Sequence, residues 1–136
     1  MSENKIEILK RVEEAWNRDD LDAFLDLADA DIKWHTAIEP FFEGTESVFR
    51  GHDGVRELWE SYRGETFQRL EIRLDEFRDL GESVLALGEA KIIGQTSQVQ
   101  LTTEVAQLFT FRGGKIVSSH DFLSHTEGLK AAGLGA

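Results

Sequence analysis

Apolar residues recur at helical spacing in three stretches of the first half of the chain. Over residues 3–18 they fall mostly three residues apart, and polar residues occupy the opposite face. Asp20 can cap a second, shorter helix over 21–28, and Gly64 can end a third helix over 53–63. The first half of the chain is therefore predicted to hold three amphipathic helices.

Elsewhere the sequence alternates between apolar and polar residues, which is typical of strands. One strand is predicted over 32–38, before the third helix, and four long strands follow that helix. The long strands are predicted over 66–79, 83–94, 99–112 and 115–124. A last short helix is predicted over 126–132. Helices that precede a run of antiparallel strands indicate an α+β fold, here as a single domain over 1–136.

The charge balance narrows the choice of partners. The 136 residues include 26 Asp and Glu but only 15 Lys and Arg, for a net charge of −11. Nucleic acids and anionic membrane surfaces attract clustered cations, so neither is an expected partner. The absence of cysteine removes disulfides and thiolate chemistry. No apolar run reaches the length of a transmembrane span, and no signal-peptide core is evident, so a cytoplasmic protein is expected.

Four segments of the chain carry a recognisable pattern in their order and spacing. They are residues 15–21, 49–55, 109–116 and 129–134. On these segments the chain resembles the SnoaL-like branch of the nuclear transport factor two-like superfamily. The resemblance implies a curved antiparallel or mixed sheet wrapped around N-terminal helices, forming a cone with an apolar pocket. It does not fix a function, because the superfamily includes steroid isomerases, polyketide cyclases, epoxide hydrolases and many non-enzymes.

The last predicted turn indicates which residues of the final two strands share a face. In a three-residue loop with a bulge, Gln107 lies opposite Ser119 and Val105 lies opposite Asp121. Together with Phe109, these residues are expected to face the cone. The opposite face is predicted to hold Ala106, Leu108, Ile116, His120 and Phe122. Because the predicted helices cover one face only, a homodimer through this outer sheet face is expected.

Asp121 is the main candidate for a catalytic group. The resemblance places the last-strand acid of the family's epoxide hydrolases at this position. An inward carboxylate beneath apolar walls has a raised pKa and can exchange protons near neutral pH. The alternative is a strand-end aspartate that is solvated or paired with an arginine. His35 is a second catalytic candidate, as a partner for the Asp121 carboxylate.

Other catalytic positions of the family carry different residues in this chain. By the resemblance, the basic aspartate of the steroid isomerases falls on Trp34, their helical tyrosine on Val12, and their strand-five acid on Gln107. These replacements argue against steroid isomerase chemistry, which needs a base and a two-donor oxyanion hole. They argue equally against the paired carboxylates of epoxide hydrolysis.

The predicted pocket is aromatic and carries a few polar groups. Its predicted lining is Trp34, Phe41, Trp59, Tyr62, Gln107, Phe109 and Ser119. Gln107 and Ser119 are expected to orient a carbonyl group of a flat, apolar ligand. No spaced set of histidines and carboxylates indicates a metal, and no glycine-rich or other motif indicates a cofactor.

Three functions fit these features. The first is a cofactor-independent isomerase, cyclase or hydrolase that acts on an apolar polycyclic or aromatic substrate, with Asp121 as its acid or base. The second is a non-catalytic protein that binds an apolar metabolite in the same pocket. The third is a dimerisation module. An open cavity with an inward carboxylate favours the first function over the other two.

Overall fold

The computed structural model describes residues 2–36, 48–60, 67–94 and 100–134. Its helices are α1 (Ser2–Asn17), α2 (Leu21–Leu27), α3 (Gly51–Glu60) and α4 (His125–Ala131). Its strands are β1 (Ala28–His35), β2 (Val48–Arg50), β3 (Phe67–Asp79), β4 (Ser83–Gly94), β5 (Gln100–Arg112) and β6 (Lys115–Phe122). The predicted α+β class is confirmed, and none of these described helices is long and apolar enough to cross a membrane.

The structure moves the start of the first strand. Asp20 caps α2 as predicted, with its Oδ1 accepting from the Ala23 amide at 3.1 Å. The chain then passes directly from α2 into β1 at Ala28, four positions before the predicted start of the strand. The alternation of apolar and polar residues does extend to Ala28, but Asp29 and Asp31 are poor strand formers that favour turns, so the sequence indicated a break there.

One mixed sheet of six strands forms the body of the described structure, in the order β2-β1-β6-β5-β4-β3. All neighbouring strands are antiparallel except β1 and β6, which run parallel. The parallel pair joins the N-terminal strand to the C-terminal strand, so that Trp34 lies beside Ser119 and His35 beside His120. This contact brings residues that are distant in sequence to the centre of the sheet.

The predicted register of the last hairpin is wrong. Gly113 and Gly114 both have positive φ, +61° and +80°, and form a two-residue turn that pairs Arg112 with Lys115. A bulge follows on the Lys115 side, and beyond it Gln107 pairs with Asp121 and not with Ser119. The bulge shifts the pairs but keeps Gln107 and Asp121 on one face of the sheet.

The two-residue turn also moves Ile116 to the inner face. Ile116 pairs with Phe111 and is fully buried in the main core, although the predicted loop placed it on the outer face. The main core lies between the sheet and helices α1, α2 and α3, and it includes Leu9, Phe24 and Val55. The inner face of the sheet is thus covered within the described chain.

The outer face of the sheet has its own cover. Leu85, Leu87 and Ala106 form a second buried cluster against which Leu129 of α4 packs. The fit is close, because a Cβ added to Gly128 would lie 2.4 Å from the Ala106 Cβ. The premise that helices cover only one face is therefore wrong, and a homodimer through the outer face is a proposal without that support.

Candidate functional site

A cavity of about 50 Å³ lies between the helices and the inner face of the sheet. Its walls come from α1, α2 and five of the six strands, and apolar side chains make up most of them. The lining residues are Val12, Glu13, Trp16, Phe24, Trp34, Ile72, Leu74, Ala90, Ile92, Thr103, Val105, Gln107, Asp121 and Leu123. Leu123 is 44% exposed and marks the side nearest solvent. The cavity therefore has an apolar wall with a few polar groups set into it.

Asp121 is a polar residue of this wall whose carboxylate accepts several side-chain hydrogen bonds. Trp34 Nε1 donates to its Oδ2 at 2.6 Å, and Gln107 Nε2 donates to its Oδ1 at 3.0 Å. Ser119 Oγ donates to the same Oδ1 at 3.4 Å. The carboxylate is thus held by three side chains from β1, β5 and β6. Of its roughly four lone-pair positions, one stays free for a ligand.

The strand register explains why these side chains meet. Trp34 and Ser119 are partners across the parallel β1–β6 pair, and Gln107 and Asp121 are partners across the antiparallel β5–β6 pair. Paired residues point to the same face of a sheet, and so do residues two apart on one strand. All four side chains therefore point inward at neighbouring positions.

Burial raises the pKa of Asp121 from 3.8 to about 6. Removal from water disfavours the charged carboxylate, and this effect outweighs the opposing effects of the hydrogen bonds from Trp34, Gln107 and Ser119. No Lys, Arg or His appears among the described lining residues to stabilise the negative charge. The group can therefore gain or lose a proton close to neutral pH.

Glu13 is a second carboxylate on the cavity wall. It projects from α1, and its Oε2 accepts from the Leu74 amide of β3 at 3.3 Å. Burial raises its pKa, although the hydrogen bond from Leu74 opposes the rise. Sequence analysis missed this residue because a glutamate on an amphipathic helix is usually solvated. The one available signal was its position beside Val12 and one turn before Trp16, both of which face inward.

The predicted aromatic lining is partly replaced by other residues. Trp34 and Gln107 line the cavity, whereas Phe109 is fully buried in the core and does not. Trp59 also lies in the core, where its ring packs edge-on against Trp16 with centroids 4.5 Å apart. Trp16 and Phe24 line the cavity instead of Phe109 and Trp59. The periodicity of the sequence had identified Trp16 and Phe24 only as core residues. Phe41 and Tyr62 lie outside the described residues.

Trp59 forms a second tryptophan–aspartate pair, outside the cavity. Its Nε1 donates to Asp19 Oδ1 at 2.7 Å, almost the same contact as Trp34 makes with Asp121. Asp19 has a φ of +57°, a backbone conformation that aspartate and asparagine tolerate better than most residues. Asp19 is therefore a matched control for experiments on Asp121.

Ser119 is fully buried and does not line the cavity itself. Its hydroxyl and the Gln107 amide both donate to Asp121 Oδ1. The structure thus makes these two residues supports for the carboxylate, whereas the sequence indicated that they orient a substrate carbonyl. They are positioning residues in this arrangement.

The structure does not support a catalytic role for His35. His35 follows Trp34 on β1, so alternation turns it to the outer face of the sheet, away from Asp121. There its ring stacks on His120, with centroids 3.7 Å apart. Burial lowers the pKa of both histidines, and for His35 the nearby His120, Arg50 and Lys33 lower it further. Among the described side chains, no group of three or more metal-binding residues is present.

Comparison with known proteins identifies the domain. The sequence matches the SnoaL-like domain family over residues 9–119, which is more than half of the chain. No curated protein matches the sequence.

Several solved structures share the fold. TerC, co-crystallised with polyporic acid, is 17% identical, with a TM-score of 0.79 over 96% of this chain and 98% of that chain. A protein with a ketosteroid isomerase-like fold from Catenulispora acidiphila, in complex with trimethylamine, is 19% identical, with a TM-score of 0.72 over 94% of this chain and 93% of that chain. A SnoaL-like polyketide cyclase, so assigned by similarity, from Jannaschia sp. is 14% identical, with a TM-score of 0.74 over 98% and 93%. At these identities the likeness establishes the fold alone.

Proposed function

The chain belongs to the SnoaL-like domain family, and from that premise we propose that it binds a small, largely apolar molecule and exchanges a proton with it through Asp121. The reaction class is cofactor-independent acid–base chemistry of the isomerase, cyclase or hydrolase type. Two of the similar structures hold small molecules, polyporic acid and trimethylamine, which supports a small-molecule ligand in this fold.

One observation carries this proposal, namely the Asp121 carboxylate fixed on an apolar wall. A general acid or base works best when its pKa lies near the working pH, and the pKa of Asp121 is raised to about 6. Trp34 and Gln107 hold its two oxygens from different strands, so the carboxylate is oriented before a ligand arrives. Preorganisation of this kind is what a proton-transfer group requires.

Asp121 both takes up and returns the proton in the proposed reaction. The ionised carboxylate takes a proton from a C–H or O–H group of the ligand and becomes the neutral acid. The neutral acid then returns that proton to another atom of the ligand, as an isomerase or cyclase requires. Gln107 and Ser119 donate to Oδ1 and Trp34 donates to Oδ2, so the mobile proton is exchanged at the one remaining lone-pair position, on Oδ2.

The missing family residues limit the chemistry that we propose. Val12 and Gln107 stand where the resemblance places acid or tyrosine groups of the steroid isomerases. A two-donor oxyanion hole is therefore no part of the proposal. The alternative function is non-catalytic binding of a ligand in the same cavity. Only a measurement of turnover distinguishes this function from the enzymatic one.

The proposal is tested by a ligand screen followed by turnover. A library of apolar carbonyl compounds is screened by thermal shift and tryptophan fluorescence, and each hit is incubated with the protein and analysed by mass spectrometry and NMR. We expect Asp121→Asn to lower any turnover by about 10²–10⁴-fold, while Asp19→Asn leaves it unchanged.

Two outcomes contradict the catalytic part of the proposal. If Asp121→Asn retains full turnover, another group performs the proton transfer. If hits bind the wild-type protein but none is converted, and deuterium from D₂O enters none of them, the binder is the correct reading.

A further inference from the structure

The described wall of the cavity carries acidic side chains but no basic ones. Asp121 and Glu13 both line it, and no Lys, Arg or His is among the described lining residues. The charged groups that shift the pKa of Glu13 are Asp75, Glu14 and Arg73. Of these only Arg73 is a cation, and it is already paired with Asp75 at 3.1 Å and with Glu89 at 2.9 Å. Two acidic side chains therefore line a mostly apolar space, and none of the described lining residues is a cation.

Aromatic side chains surround the same space. Trp16, Phe24 and Trp34 line the cavity, and the rings of Phe24 and Trp34 lie with centroids 5.2 Å apart. Aromatic rings attract organic cations through their quadrupoles, and tryptophan does so most strongly. Aromatic rings together with carboxylates are the groups that recognise alkylated ammonium ions in proteins. A neutral hydrocarbon would use the rings but leave the carboxylates uncompensated.

The size of the cavity limits what enters it. A volume of about 50 Å³ holds roughly three or four water-sized groups. A small alkylated ammonium group has about this size, whereas a fused ring system is larger. The described cavity therefore fits a compact head of a ligand.

Resting on the function proposed above, we propose that the ligand enters this cavity with a protonated or quaternary amine that carries small alkyl groups. Its positive charge compensates Asp121 and Glu13, and its alkyl groups contact Trp16, Phe24 and Trp34. This assignment narrows the apolar ligand class to amines with an apolar body. A bound cation also favours the ionised form of Asp121, so the group would act on such a ligand as a base.

A pair of isosteric probes tests the assignment. Choline and 3,3-dimethylbutan-1-ol have the same shape and differ in one charge, and each is titrated into the protein by calorimetry at pH 8 and pH 5. We expect choline to bind at least about tenfold more tightly than the alcohol at pH 8. We expect its affinity to fall about tenfold at pH 5, because a carboxyl group with a pKa of about 6 is then about one-tenth ionised.

Variants show whether Asp121 is the source of the preference. Asp121→Asn should remove both the preference for choline and most of its pH dependence, and Asp19→Asn should change neither. If Asp121→Asn fails to fold, the pH series of the wild-type protein decides in its place.

Equal or tighter binding of the alcohol overturns the amine assignment but leaves a small-molecule site in place. Choline binding that does not respond to pH also overturns it, and so does the absence of binding by either probe. The proposed proton transfer is tested independently by the titration of Asp121 in the unliganded protein.

Discussion

Replacing Asp121 with asparagine should stabilise the protein at neutral pH, and the gain should grow as the pH rises. Burial raises the pKa of Asp121 from 3.8 to about 6, so the folded protein binds this proton more tightly than the unfolded chain does. The resulting stabilisation is complete below pH 3.8 and is lost as the pH rises through about 6. An asparagine does not titrate, so the variant escapes this loss.

The expected size of the effect follows from the shift in pKa. A difference of about two pKa units corresponds to about 3 kcal/mol, since each unit corresponds to about 1.4 kcal/mol. Hydrogen bonds add an offset that does not depend on pH. The asparagine oxygen can still accept from Trp34, and the Gln107 amide can rotate to accept from the new NH₂ group. Marginal protein stability makes a change of about 3 kcal/mol easy to measure.

Urea unfolding at several pH values between 4 and 8 measures this difference. The free energy of unfolding of Asp121→Asn minus that of the wild-type protein should increase by about 2.5 kcal/mol across the series, since a small part of the full effect is already present at pH 4. All other titrating groups are common to both proteins and largely cancel. Asp19→Asn reports what the same substitution costs at a tryptophan–aspartate pair outside the cavity. A difference that stays flat or decreases with pH contradicts a raised pKa of Asp121 in the folded protein.

Three further predictions concern the surroundings of this site. Trp34→Phe removes the donor to Asp121 Oδ2, so the pKa of Asp121 should rise further, as seen in a shifted midpoint of its NMR titration; an unchanged midpoint contradicts this role. Gly128→Val should push α4 from Ala106 and destabilise the protein by about 1–3 kcal/mol in urea unfolding, and stability equal to wild type contradicts that close packing. A homodimer through the outer face of the sheet also stays a prediction, and sedimentation showing only monomer at micromolar concentration contradicts it.

The sequence predicted the fold well because its signals were local. Alternation over β3 to β6 and helical spacing over α1 to α3 placed most elements within a few residues. The parallel contact of β1 with β6 left no local signal, because it joins residues about 85 positions apart such as Trp34 and Ser119. The cover of the outer face by α4 was missed for the same reason, since its packing partners lie on distant strands.

The site was predictable in part, for a reason that lies in the last hairpin. A Gly-Gly pair suits both a two-residue and a three-residue loop, because both need positive φ. The sequence therefore does not choose between the two registers. The bulge beyond the turn restores the alternation, so Asp121 faces inward in both, and only its partner changes from Val105 to Gln107. Glu13 could be identified as a cavity residue only from the tertiary structure, because only packing shows which flank of α1 borders the cavity.

The proposed role of Asp121 is tested most directly by the titration of its side chain. The protein is labelled with ¹³C at the aspartate side-chain carboxyl, and the resonance missing from Asp121→Asn identifies this group among the aspartates. We predict a midpoint near pH 6 for that resonance. A midpoint below about 4.5, close to that of a solvated aspartate, would contradict the proposed role of Asp121 as a proton-transfer group.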